Sequence, residues 1–266
     1  MSVQRTTAPT RADPRSVQSI DRALDILELL AGTDAPLGLT TIAAGVGLAP
    51  ATTHRLLRSM QARGYVQHVA DRKYTLGAAA MRLGTNAQRS IAVGAQPYLD
   101  ELVRMTGETA NLAALNGDAV VYVAQSSSPH ILRMFAEVGR RVLPHTTAVG
   151  KILLAAQPDD RVTAVLKRTG LPRRTERTIT TIDGFLSELE HVRTQGYAVD
   201  NGEEDLGIRC LAMPIRTRDS VLAAVSVSGP AYRLGDDYVN RLIEPLNVTA
   251  VAIAHAIEPS FTAVDL

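Results

Sequence analysis

The spacing of apolar residues along the first third of the chain predicts three helices followed by a hairpin. Apolar positions recur every three or four residues over 19–31, 40–46 and 50–63, the period of a helix that packs one face onto a core. Pro50 fits the first turn of the third helix, because the amide that proline lacks has no partner there. Two β-like runs follow, at 64–68 and 73–76. This order of elements predicts a winged helix-turn-helix, whose third helix enters the major groove of DNA.

Beyond residue 77 the pattern changes to an alanine-rich helical stretch and then to mixed strands and helices. We predict two helices between 77 and 107, joined near Gly94 to Pro97. Strands are predicted at 111–116, 119–125, 131–136, 196–200, 209–216 and 222–229, and helices at 147–156, 159–168, 183–195 and 236–257. Because the strands form a meander without strict strand–helix alternation, the predicted class is α+β.

The pattern divides the chain into four segments. Residues 1–15 contain almost no large apolar side chain, so a disordered arm is predicted there. Residues 16–77 would form the winged helix-turn-helix, 78–95 a linker helix and 96–262 the second domain. A length of 266 residues, at about 150 residues per domain, predicts a little under two domains, so two are expected.

Composition excludes several classes of protein. No apolar run approaches the roughly 18 residues of a membrane helix, and the N-terminus lacks the apolar core of a secretory signal, so a cytoplasmic protein is expected. One cysteine excludes a disulfide framework and a cysteine-built zinc site. The six histidines form no metal-ligand pair, and no nucleophile elbow, Walker loop or dinucleotide motif follows a strand. We therefore expect no metal, no cofactor and no enzyme.

The formal net charge of +1 conceals an uneven distribution. Residues 1–77 carry nine Lys and Arg against six Asp and Glu, whereas residues 78–266 carry nineteen against twenty-one. A basic first third is compatible with a nucleic-acid-binding module, although a solvated surface would give the same count.

The third helix carries side chains suited to DNA. Thr and Ser hydroxyls can hydrogen-bond phosphates or base edges, and Arg can reach guanine edges or phosphates. The alternative is an exposed helix with ordinary solubilising charges. The predicted DNA-binding residues, including the wing tip, are Thr52, Thr53, His54, Arg55, Arg58, Ser59, Arg72 and Lys73.

The second domain carries residue types suited to a small anion. The segment 146–151 opens a helix with hydroxyls and small residues, so its free amides could meet a carboxylate. Ser226 and Ser228 share one strand face, and Asp200 ends another strand beside Asn201 and Glu203. Each feature also has a structural reading, as a helix cap, a surface pair or a turn, and no spacing rule joins them. Cys210 lies in an apolar strand, where a lone cysteine is more often a packed hydrophobe than a nucleophile.

Several blocks in order resemble the IclR family of bacterial transcriptional regulators, from Val17 to the final helix. They are VQSIDRALDILELL, LTTIAAGVGLAPATTHRLLRSMQARGYV, DRKYTLGAAAMRLG, GRRVLPHTTAVGKILLA, GYAVDNGEEDLGIRCLAMPI and VSVSGP. The resemblance implies a winged helix-turn-helix, a linker helix and a GAF-like effector-binding domain. Such proteins act as dimers or tetramers on palindromic operator DNA, with no membrane partner.

The resemblance also implies a site for a small metabolite that carries a carboxylate or an aromatic ring. By motif matching, its polar end would be held by Ala148, Val149, Gly150, Asp200, Cys210, Ser226 and Ser228, and its apolar flank by Met134, Val142 and Ile208. The chain departs from the family at Pro50 and Ala51, where members usually have Lys or Arg and then Ser, and at Val149, where many have Ala or Gly. Pro50 and Ala51 would remove an expected phosphate contact, and the larger side chain of Val149 would narrow the effector site.

The leading hypothesis is a metabolite-responsive transcription factor, expected to be a repressor. Two alternatives stay open at this point. The chain could be a cytosolic small-molecule-processing enzyme with a DNA-like appended domain, or a protein-interaction module whose winged helix contacts protein.

Overall fold

The computed structural model describes residues 17–33, 35–133, 137–217 and 220–257. The chain divides into two compact units, Met1–Ala87 and Gln88–Leu266. The first holds the helix-turn-helix and the second combines α and β structure, which confirms the predicted fold class. The arm predicted at 1–15, the predicted effector residue Met134 and the last predicted residues of the second domain, 258–262, lie outside the described residues.

The first unit follows the predicted order, with one additional strand. Its elements are α1 (Gln18–Ala31), β1 (Leu37–Gly38), α2 (Leu39–Gly45), α3 (Pro50–Ala62), β2 (Val66–Val69) and β3 (Lys73–Leu76). The helices and the hairpin share a core around Ile26, Ile42 and Leu57. The short strand β1 was not predicted, because two residues are too few for a periodic pattern. It pairs with β3 and completes an antiparallel sheet in the order β1-β3-β2.

The second unit is built on a six-stranded antiparallel sheet in the order β6-β5-β4-β9-β8-β7. The strands are β4 (Thr109–Asn116), β5 (Ala119–Ser126), β6 (Arg141–Val142), β7 (Ala198–Asp200), β8 (Ile208–Arg216) and β9 (Val221–Pro230). The predicted turn at Gly117 joins β4 to β5 with a left-handed backbone, φ +62°, that glycine adopts without strain.

Helices cover both faces of this sheet. The helices of the unit are the later part of α4 (Ala78–Thr106), then α5 (Ala148–Ala155), α6 (Asp159–Thr169), α7 (Ile182–Gln195) and α8 (Asp236–Ile257). On one face, α4 and α8 pack against apolar side chains such as Val225 and Val227 of β9. On the other face, α5 packs against small residues such as Ala212 and Ala224. This second face also carries the polar residues of the candidate site.

The linker region is one helix, so the prediction of two helices with a break near Gly94–Pro97 is wrong. Proline removes a single backbone hydrogen bond from the helix interior. Ala95 and Leu99 on the two sides of Pro97 are fully buried in the same core, and this packing keeps the helix continuous. Gly94 lies close to the end of α8, since a Cβ there would lie 3.3 Å from Cγ2 of Ile257, a tight contact.

The prediction of a strand at 131–136 is also wrong over its described residues. Ile131 and Leu132 are exposed, and they form no ladder with another strand. The free edge of β5 is paired instead by β6, where Val142 lies opposite Val120. The segment has the apolar pattern of a strand, but its described residues have no neighbouring strand to pair with. A strand needs such a neighbour as well as the pattern.

The tip of the β2–β3 hairpin stores backbone strain. Asp71 and Arg72 both adopt positive φ, 60° and 56°, and neither is glycine. A left-handed residue other than glycine costs about 1–2 kcal/mol, less for Asp. The wing is therefore held in a conformation that its own sequence disfavours.

Asp71→Gly should stabilise the first unit by up to about 1 kcal/mol, because relief of strain exceeds the added entropy of the unfolded glycine. Hydrogen exchange of the α3 amides in the full chain would measure the change. Asp71→Ala is the matched control, since it also removes the carboxylate but keeps a Cβ in the left-handed region. Equal protection in the two variants would contradict the strain.

Candidate functional site

The helix α3 presents a basic outer face. Leu57 and Met60 point into the core, while His54, Arg55 and Arg58 are exposed. Among the described residues, none of these three exposed side chains has a hydrogen-bonding or ionic partner, so their donors are available to another molecule. Thr52 is half-buried at the edge of this face.

Two hydroxyls predicted to contact DNA bond to α3 itself. Thr53 is fully buried and its Oγ1 donates to the carbonyl of Ala49 at 3.2 Å. The side chain of Thr53 faces the core, so it is not exposed to a partner of α3 as the predicted DNA contact would require. Ser59 is exposed, and its hydroxyl donates to the carbonyl of Arg55 at 3.1 Å, which leaves only its acceptor capacity free.

The wing adds two exposed cations, Arg72 and Lys73, at the end of the hairpin. Behind them, the exposed ring of His68 packs edge-on against Tyr74, with centroids 5.0 Å apart. The first unit thus carries unpaired cations on α3 and on the wing, which is the charge placement that a DNA backbone requires.

The second unit contains a cavity of about 360 Å³ beside the sheet. Four residues predicted to bind the effector line it: Val142, Asp200, Ile208 and Cys210. Thr147, in the predicted helix opening, lines it as well. The other lining residues are Tyr122, Arg133, Arg140, Arg174, Glu204 and Asp205. Most of these lining residues are polar or charged and the rest are apolar, so the cavity suits a small charged molecule.

Strand pairing explains how residues distant in sequence meet here. Asp200 lies opposite Cys210 in the β7–β8 ladder, and Cys210 lies opposite Ser228 in the β8–β9 ladder. One row across three strands therefore carries a carboxyl, a thiol and a hydroxyl. Ser226 belongs to the next row, between Ala212 and Asn111, and Ser226 and Ser228 are both buried.

The buried polar row continues into β4 and β5. The amide of Asn111 donates to Oγ of Ser228 at 3.3 Å, and Nε2 of Gln125 donates to Oδ1 of Asn111 at 2.8 Å. Asn111 itself is fully buried. Neither Asn111 nor Gln125 was predicted, because each lies inside an apolar strand pattern that gives no sign of a polar neighbour.

The start of α5 has a different role from the predicted one. Thr147 caps the helix, because its Oγ1 accepts from the amide of Gly150 at 3.2 Å. A Cβ on Gly150 would lie 2.1 Å from the carbonyl oxygen of Pro144, so glycine allows close backbone packing. Ala148 and Val149 are buried among apolar side chains of the sheet and are not among the residues that line the cavity. They form packing behind it.

Asp200 carries an unusual protonation state. Burial is the largest cause, and with the neighbouring Glu203 it raises the pKa of Asp200 to about 8. Its Oδ1 accepts from the amides of Gly202 and Glu203 at 3.0 and 2.8 Å. The carboxyl is therefore protonated at neutral pH and hydrogen-bonded to the carboxylate of Glu203, so it adds no negative charge to the lining of the cavity.

Directly behind Asp200 lies a buried cation. Lys151 of α5 is 1% exposed, and its Nζ donates to Glu203 at 2.7 Å, to Glu188 of α7 at 2.8 Å and to the carbonyl of Val199 at 2.8 Å. Burial opposes the charge, but the two carboxylates outweigh it and raise the pKa of Lys151. Burial likewise opposes the charge on Glu203, yet its hydrogen bond with Asp200 and the charge of Lys151 lower its pKa.

Burial also raises the pKa of Cys210, and the nearby Asp200 adds to the shift. The thiol is therefore protonated at neutral pH and unsuited to nucleophilic attack. This agrees with a hydrogen-bonding role in the site. Among the described residues there is no cluster of metal-ligating side chains. No helix in the described part of the chain is long and apolar enough to cross a membrane.

The fold and the two sites define a class: a helix-turn-helix DNA-binding protein with a ligand-binding domain. Two family models match the chain, "IclR helix-turn-helix domain" over residues 19–70 and "Bacterial transcriptional regulator IclR C-terminal" over residues 85–255. The chain belongs to the IclR family of transcriptional regulators, as the sequence blocks predicted. Its C-terminal unit is the effector-binding domain of that family.

Individual relatives agree with this assignment. The chain is 36% identical to the HTH-type transcriptional regulator KdgR of Escherichia coli (strain K12), over 91% of this chain and 93% of the relative. It is 35% identical to the transcriptional repressor IclR of the same strain, over 88% and 86%. A solved IclR homologue from Microbacterium hydrocarbonoxydans, complexed with 4-hydroxybenzoate, aligns with a TM-score of 0.58 and 26% identity over 90% of this chain and 98% of that one. These relatives are regulators, so the enzyme alternative is not favoured.

Lys151→Met should lower the free energy of unfolding by about 3–5 kcal/mol, because it leaves Glu203 and Glu188 without their buried cation. Urea unfolding followed by circular dichroism would measure the loss. Lys167→Met, an exposed lysine at the end of α6, is the matched control and should cost less than about 1 kcal/mol. A similar small loss in both variants would contradict the structural importance of the Lys151 ion cluster.

Proposed function

We propose that the chain is a cytoplasmic repressor that binds operator DNA through α3 and the wing and releases it when a small carboxylate occupies the cavity. The observation that carries the proposal is the row of Asp200, Cys210 and Ser228, in which Asp200 and Cys210 line the cavity and are both uncharged at neutral pH. A carboxylate can approach these uncharged groups, whereas an ionised Asp200 would repel it. Ser226, Val142 and Ile208 complete the polar and apolar surroundings of the ligand. They belong to a GAF-like domain that a linker helix joins to the DNA-binding domain.

The DNA half of the proposal depends on Arg55 and Arg58. They are exposed and separated by one helical turn, so both can reach one groove. Arg72 and Lys73 would contact the backbone beside it. Support for repression comes from the related E. coli protein IclR, which is named a transcriptional repressor. Support for a carboxylate comes from the related Microbacterium hydrocarbonoxydans structure, which holds 4-hydroxybenzoate.

We further propose that the chain acts as a homo-oligomer, a dimer or a tetramer. Ile20 and Leu24 of α1 and Val17 just before it are each about half exposed. They form an apolar surface that a second copy of the chain would cover. A dimer would match a palindromic operator, and the effector would shift the balance between arrangements that do and do not fit its half-sites.

Arg55→Ala should weaken binding to DNA by about 1–3 kcal/mol if the guanidinium reads a base edge. Fluorescence anisotropy would measure this on an operator that the wild-type chain selects from a random pool. Arg161→Ala removes the same charge from an exposed position on α6 and serves as the control. Unchanged affinity in Arg55→Ala would refute its role. Absence of DNA retention by the wild type, even at low salt, would favour the protein-interaction alternative.

Effector binding should weaken as pH rises through about 8, because Asp200 then ionises and repels the ligand's carboxylate. The probe is whichever acid in a panel of short monocarboxylates and dicarboxylates most raises the melting temperature of the full chain at about pH 6. Calorimetry from about pH 6 to pH 9 should show the loss in the wild type, and a flatter profile in Asp200→Asn. Asp205→Asn, at the same cavity, should retain the wild-type profile. A profile in Asp200→Asn as steep as that of the wild type would exclude Asp200 as the titrating group.

A further inference from the structure

Three arginines line the cavity, and fewer charged acids than that line it with them. Arg133, Arg140 and Arg174 belong to loops, and they were not predicted as site residues. The acids on the lining are Asp200, Glu204 and Asp205. Asp200 is neutral at neutral pH, and Oδ1 of Asp205 is engaged by the amide of Gly207 at 2.8 Å. The lining therefore carries three cationic groups against two charged acids, an excess of one positive charge that a ligand's carboxylate can neutralise.

Backbone bonds fix the position of Arg140. Its carbonyl accepts from the amide of Tyr122 at 3.2 Å, and its own amide donates to the carbonyl of Glu137 at 2.9 Å. Along the extended segment that follows, Val142 lines the cavity, while Arg141 between them donates to the carbonyl of Asn116. Among the described residues, the guanidinium of Arg140 has no hydrogen-bonding or ionic partner.

Arg174 is fixed to the turn that carries Asp200. Its amide donates to Oγ1 of Thr178 at 3.0 Å, and this hydroxyl donates to the carbonyl of Glu203 at 2.8 Å. The hydroxyl of Thr175 donates to the carbonyl of Gly202 at 2.7 Å. The guanidinium of Arg174 meets Glu204 at 3.4 Å with half of its side chain exposed. Such a pair is weak enough for a ligand's carboxylate to replace Glu204.

We propose that Arg140 and Arg174 form a second anion subsite, so that the effector is a small dicarboxylate. One carboxylate binds at the Asp200–Cys210 row, and the other binds the two arginines. A cavity of about 360 Å³ is at the small end for ligand sites, which suits an acid of few carbons. This inference rests on the proposed effector function and deepens it, because it assigns the class of ligand and two residues that recognise it.

The test compares diacids with monoacids of equal carbon number, succinate with butyrate and adipate with hexanoate, by calorimetry on the full chain. The wild type should bind at least one diacid about tenfold more tightly than its monoacid, the value of one charged hydrogen-bonded pair. Arg140→Gln should abolish this preference, because it removes one of the two guanidinium groups that bind the second carboxylate. Arg141→Gln, the same change at the adjacent arginine, should retain it.

A second variant predicts a change of the opposite sign. Glu204→Gln should strengthen diacid binding severalfold, because it removes the carboxylate that competes for Arg174. Equal affinity for diacid and monoacid, or an undiminished preference in Arg140→Gln, would overturn the second subsite while the effector function stands. Failure of all four acids to bind would overturn the carboxylate effector together with this inference.

Discussion

The second unit depends on one buried cation. The Nζ of Lys151 joins α5 to Glu188 of α7, to the carbonyl of Val199 in β7 and to Glu203 in the turn that follows. An ammonium group with 1% exposure is tolerated only with such partners, since its desolvation costs several kcal/mol. The elements must therefore meet in one arrangement. In that arrangement Thr147 and Asp200 line the same cavity. Thr147 lies one helical turn before Lys151, and Asp200 ends β7 just before the loop that holds Glu203.

Placement of charge, more than its total, distinguishes the two units. In the second unit many arginines are ion-paired, as Arg193 is with Asp159, Arg209 with Asp236 and Arg233 with Glu108. These pairs hold loops and helix ends in place and neutralise the arginines that they contain. The described cations of α3 have no such partners, so their field is available to phosphates. A net charge of +1 for the chain is thus compatible with a basic binding surface on the first unit and a nearly neutral second unit.

Local features of the fold were predictable from sequence, and long-range ones were not. The bounds of α8 and the start of α3 follow from helical periodicity and from Pro50, which are properties of neighbouring residues. Motif matching proposed Asp200, Cys210, Ser226 and Ser228 as site residues, and strand pairing places them in adjacent rows of the sheet. The contact between Lys151 and Glu203 joins residues far apart in sequence, and no spacing rule anticipates it. The break expected at Pro97 failed for the same reason, since core packing outweighed a local preference.

The two faces of the sheet explain why a ligand would bind on only one of them. In β9, Val225 and Val227 point toward α4 and α8 and fill a fully apolar core. The alternate residues, Ser226 and Ser228, point to the α5 side, where a structural core would favour apolar groups of similar size. Their burial costs free energy unless each polar atom has a partner, and Asn111 supplies one for Ser228 at 3.3 Å. The row reaches the cavity at Asp200 and Cys210, so the face of the sheet that carries buried polar groups is also the face beside the cavity.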